Sequence, residues 1–103
     1  MINPLNIINQ LFEMKTKIKE TGAAENFERN FTRLFTIFEE DGYIIQDPTG
    51  ELYTESRTDC EASISGHIGS KMKISRTIKP IVYQKTENSV QLLQKAIVIV
   101  ENK

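Results

Sequence analysis

The chain has 103 residues, a formal net charge of −1 and a sequence pI of about 5.8, with 39% hydrophobic and 26% charged residues. That length fits one domain, and the composition is that of a folded chain rather than a disordered one. The near-neutral balance gives no electrostatic reason to expect a nucleic acid or an anionic membrane as partner.

Residues 4–20 read as a helix, with Asn3 as N-cap and Pro4 in the first turn, where a missing N–H costs nothing. Ile7, Leu11, Met14 and Ile18 recur at spacings of four, three and four, a heptad seam, and Leu5, Ile8 and Phe12 widen it. Lys15, Lys17 and Lys19 read as a solvated helix end favoured by the dipole, and Thr21-Gly22 stops the helix. A second helix runs from about Ala24 to Asp41, where Phe27, Phe31, Leu34 and Phe38 repeat the same spacing. Two short helices with matching seams and a Gly linker make an αα-hairpin. Each apolar face is wider than one partner helix covers. A four-helix bundle across a two-fold axis is therefore expected, with those eight seam residues at the dimer interface. Closure of the second face by the strand region of the same chain is the open alternative. Residues 1–42 are expected to form the helical region and 43–103 a small antiparallel β-domain of about four strands, an α+β class overall.

Pro48 and Gly50 mark the change of architecture after the helices. Cys60, Ala62 and Ile64 alternate with Glu61, Ser63 and Ser65, the pattern of a half-buried antiparallel strand ended by Gly66. Met72, Ile74, Ile78, Pro80 and Val82 share one parity, as do Val90, Leu92, Ala96, Val98 and Val100. The polar Lys85–Ser89 stretch between them reads as a hairpin loop. A hairpin on that loop places Val82 opposite Leu92, Ile78 opposite Ala96 and Ile74 opposite Val100. Pro80 inside the first strand predicts an edge or a bulge there.

Chemistry-bearing constellations are few. Asp59, Ser65 and His67 lie on one short stretch and cannot easily converge as a triad must. Cys60, the single cysteine, reads as a small core hydrophobe, and a Cys-poor chain fits a reducing compartment. One His and one Cys do not make a metal site, and Gly66-x-x-Gly69-Ser70 is too weak for a phosphate loop. No enzyme activity, cofactor or metal is expected. A signal peptide and a membrane span are not evident, so a cytoplasmic location is expected.

Asp47-Pro48-Thr49-Gly50-Glu51-Leu52-Tyr53 behind a Phe-rich helix, Glu61-Ala62, and Arg76-x-Ile78-Lys79-Pro80-Ile81 occur in that order. This order resembles the C-terminal half of the GrpE family, nucleotide exchange factors of DnaK-type chaperones, over roughly residues 23–83. Tyr53 stands where the family often has Phe, Cys60 where it has His, and Ile81 where it has Ala. The family's long helical stalk has no counterpart, and a further strand at about Val90–Val100 follows where the family normally ends. The resemblance implies a homodimer whose β-domain docks on the chaperone's nucleotide-binding domain and favours its open state. Tyr53, Arg57, Arg76 and Lys79 are then the candidate contact residues. Two other classes stand beside it: a homodimeric structural or adaptor protein with an unrelated protein partner, and a small hydrolase built on Cys60 and His67.

Overall fold

Asn3 begins the first helix as its spacing predicts: its Oδ1 accepts from the Leu5 N–H at 3.0 Å, and helix α1 covers Pro4–Glu20. The computed structural model describes residues 2–66, 69 and 71–102. At the far end of α1 the N–H groups of Gly22 and Ala23 return to the carbonyls of Lys19 and Ile18, a Schellman closure. Helix α2, Ala24–Glu40, follows at once. The helical hairpin is therefore as expected, and the α+β class with it.

Gly42 ends α2 and starts the sheet. Its φ of 93° is a left-handed conformation, and a Cβ there would sit 2.9 Å from the Lys85 carbonyl oxygen. The Gly42 carbonyl in turn accepts from the Lys85 N–H at 2.7 Å, so helix exit and strand pairing occupy the same residue. Among the described residues seven strands follow: β1 Tyr43–Gln46, β2 Leu52–Tyr53, β3 Cys60–Ser65, β4 Met72–Lys79, β5 Ile81–Lys85, β6 Val90–Gln94 and β7 Ala96–Asn102. They form two sheets, β1-β5-β6 and β2-β4-β7-β3.

The expected long hairpin is present and bends. Pro80 has no N–H to give a ladder and separates β4 from β5, while Lys95 separates β6 from β7 on the return. One pair of chain segments thereby feeds both sheets. Ile74 does face Val100, as the parity predicts. The other two pairings do not occur: Tyr83, not Val82, faces Leu92, Val82 faces Gln94, and Ala96 faces Cys60 of β3. Irregularities between Ile74 and Arg76 and between Thr77 and Lys79 shift the ladder twice. Each shift reverses which face the next side chain takes. Thr77 is buried as a result, and Ile78, predicted inward, is 49% exposed. The strand count of about four and the fully antiparallel arrangement also change. β3 pairs β7 in parallel, so the second sheet is mixed.

The core of the second sheet gathers Cys60, Met72, Ile74, Ala96, Val98 and Val100 with Ile81 from the first. Ile8, Phe12 and Phe31 are the buried residues of the two helices. Phe12 lies beside Ile45 and Asp47 at the start of the strand region, whereas Phe31 sits beside Ile18 and Lys19 of α1, within the hairpin. The extents of 40 × 39 × 21 Å match two layers, since a helix and a sheet each occupy about 10 Å. Asn9 and Gln94 exchange two amide hydrogen bonds of 2.9 Å, and Gln94 Nε2 also donates to the Pro80 carbonyl at 2.8 Å. α1 is thus fixed to the corner where the hairpin changes sheets. None of the described helices is long and apolar enough to cross a membrane.

Candidate functional site: the groove between α1 and β4

The polar side of α1 faces β4 across an open groove. Asn9, Glu13, Thr16, Lys17 and Glu20 recur at helical spacing and look toward Arg76, Thr77, Ile78 and Lys79. The groove widens to about 570 Å³ where Lys15, Lys19, Asp47, Thr49 and Ser75 join its wall, over Phe12. A second lobe of about 200 Å³ continues past Ile78 and Lys79. The double register shift in β4 is what makes this wall. It brings Arg76 and Lys79 beside Ile99 and Ile97 of β7 and leaves their side chains free of the core.

A chain of hydroxyls lines the floor. Asp47 Oδ1 accepts from the Thr49 N–H at 3.0 Å and from Thr49 Oγ1 at 2.7 Å. Thr49 Oγ1 has then used its only proton, so its 2.7 Å contact with Thr77 Oγ1 has Thr77 as the donor. The buried Thr77 hydroxyl is satisfied in this way. The Asp-Pro-x-Gly turn itself is fastened to β4. Gly50, with a φ of 91°, donates its N–H to the Ile74 carbonyl at 2.8 Å, and Ile74 donates back to the Glu51 carbonyl at 2.9 Å.

Charge in the groove is mainly positive. Lys17 pairs with Glu13 at 3.2 Å along α1, and Arg76 reaches Glu20 at 3.3 Å. Lys15 stands 5.5 Å from the centre of the Phe35 ring, which holds its ammonium by a cation–π contact. Among the described residues, no carboxylate lies within ion-pair distance of Lys15, Lys19 or Lys79.

The four candidate contact residues do not share this place. Arg76 and Lys79 line the groove, whereas Tyr53 is half-buried and packs against the core of the second sheet. Arg57 serves the chain internally. Its Nε and Nη2 donate to Asp59 at 2.9 and 3.0 Å, its Nη1 donates to the Leu52 carbonyl at 3.0 Å, and its Nη2 lies 3.2 Å from Glu51. The Arg57 guanidinium holds the Asp59 carboxyl below the usual carboxylate range, and the carboxylates in return raise the Arg57 pKa. Burial pushes the neighbouring Cys60 thiol up to about 11, so it is protonated at neutral pH and a weak nucleophile. His67, its suggested partner, lies outside the described residues.

The eight seam residues also divide. Phe31 is buried inside the chain, Leu11, Ile18 and Phe38 are half-buried, and Phe38 meets Tyr43 edge-on with ring centres 6.2 Å apart. Ile7, Met14, Phe27 and Leu34 remain 39, 51, 45 and 37% exposed. No single short motif marks the groove in sequence, because α1 and β4 are brought together only by the fold. Comparison with protein-family models, with curated proteins and with solved structures finds no match for this chain.

Proposed function

We propose that the protein is a non-catalytic protein-binding module that pairs with a second copy through its helical hairpin and receives a partner on its β-domain. The observation that carries this reading is the uncovered half of the two seams. Ile7 and Met14 on α1, and Phe27 and Leu34 on α2, keep heptad spacing with their partners yet stay exposed in the single chain. Phe31, on the same face of α2 as Phe27 and Leu34, is buried beside Lys15, Ile18 and Lys19 of α1, and Ile8 and Phe12 are buried on another side of α1, so the exposed four form the uncovered margin of the hairpin. A second hairpin related by a two-fold axis would bury it.

In its most specific form the partner is a DnaK-type chaperone, the cell's cytoplasm the setting, and the activity acceleration of ADP release. Support comes from the Asp47–Tyr53 turn and from Arg76 and Lys79, which match the GrpE-like pattern and, unlike Tyr53 and Arg57, present their side chains outward. Preferential binding to the open chaperone would shift its equilibrium and expel nucleotide. The adaptor reading shares the helical interface and differs only in the partner.

Two measurements test these statements. Sedimentation equilibrium should show a dimer that Met14→Asp together with Leu34→Asp converts to a folded monomer. A wild-type monomer at high concentration removes the assembly. Stopped-flow release of a fluorescent ADP analogue from the chaperone of the same cell should accelerate when the protein is added. An unchanged rate leaves the adaptor reading alone.

A further inference from the structure

Resting on the protein-binding reading above, the geometry points to an acidic, extended segment of a partner protein as the occupant of the groove between α1 and β4. Its walls carry five cations, Lys15, Lys17, Lys19, Arg76 and Lys79, against the carboxylates of Glu13, Glu20 and Asp47. The groove is therefore net positive on a chain whose formal charge is −1. Two of its acids are already neutralised by Lys17 and Arg76, and Asp47 is held by Thr49. Lys15, Lys19 and Lys79 are left to meet a ligand, and the Phe35 ring keeps Lys15 positioned before one arrives.

Shape narrows the ligand further. From Asn9 to Glu20 a helix rises roughly 16 Å at about 1.5 Å per residue. An extended chain covers that span with about five residues at roughly 3.3 Å each. Ile78 offers an exposed apolar contact between the basic residues, while the hydroxyls of Thr16, Ser75 and Thr49, whose protons go to Phe12, Ile99 and Asp47, are left to accept from backbone N–H groups of an extended ligand. A segment of alternating acidic and aliphatic residues satisfies both features. Charge at the rim governs approach and selectivity, and the apolar contact adds specificity that salt does not screen.

The test is fluorescence anisotropy of a fluorescein-labelled peptide of alternating Glu and Leu, titrated with the full chain. Saturable binding that weakens with salt is expected. Lys15→Glu, Lys19→Glu and Lys79→Glu together should weaken it at least about tenfold, from the usual fraction of a kcal/mol per exposed charge doubled by reversal. Ile78→Ser should weaken it without changing the salt slope. All four positions are exposed, so circular dichroism should show the variants folded. Binding unaffected by the triple charge reversal overturns the inference, and so does equal binding by inorganic phosphate at matched ionic strength. Absence of peptide binding by a chain that still dimerises overturns it while the assembly stands. Peptide binding by a chain that is monomeric supports it and removes only the assembly.

Discussion

Arg57 closes the loop between β2 and β3 by holding Asp59, Glu51 and the Leu52 carbonyl at once. The bidentate, charge-assisted contact with Asp59, whose side chains are mostly covered, is of the strong class of hydrogen bond, while those to Glu51 and Leu52 lie in the open. Arg57→Ala should lower stability by about 2 kcal/mol at neutral pH, read from denaturant unfolding. The pH dependence has a definite sign. Asp59 is held below its unfolded value, so its contribution is present above the ordinary carboxylate range and is lost as pH falls through the lowered folded value. Wild type and variant should therefore converge in acid; an equally large gap there would show that Asp59 is not the partner that matters. Nothing in the sequence around Arg57 distinguished an internal clasp from an exposed contact. Arg57 and Asp59 were adjacent enough to suggest an ion pair, but Glu51 and the Leu52 carbonyl enter only because β2 turns back along β4.

At the level of elements, the helices were legible because their signal is local: a cap, a repeat and a stop within each segment. The face each helix turns inward was less so. The widened stripe contains both Ile7 and Ile8, and spacing alone does not say which of two neighbours enters the core. The structure chooses Ile8, Phe12 and Phe31, which separates fold from assembly. In dilute chain, Phe31→Ala should cost about 3–5 kcal/mol, as expected for a buried Phe, whereas Phe27→Ala should cost under about 1 kcal/mol. Equal costs would mean that Phe27 is covered within the single chain. Strands fared worse for a physical reason. Tyr43-Ile44-Ile45 carries an aromatic and two β-branched residues directly after Gly42, a signal for β1 that its shortness concealed. The shift at Ile78 lies just before Pro80, where a bulge is expected, but the one at Ser75 has no Gly or Pro beside it, and together they move Arg76, Thr77 and Lys79 to their present faces. The groove depends on those shifts, so its existence could not be read before the register was known.

For the whole molecule, the two sheets are not independent pieces, because β4 with β5 and β6 with β7 are continuous paths through the Pro80 and Lys95 corners. The helical layer is tied to that same corner by Asn9 and Gln94. The parallel union of β3 with β7 has a consequence for how the chain reaches this state. Cys60 and Ala96 are separated in the chain by β4, β5 and β6, so their pairing is cheapest once the intervening hairpin has formed. Loop closure of that length comes late, when the hairpin has already spent the entropy of bringing the ends together. Until then β7 offers an unpaired flank to any other chain nearby. Refolding should thus be a contest between self-completion and capture by a neighbour. Its yield should fall with chain concentration, and a yield independent of concentration would show that β3 arrives early.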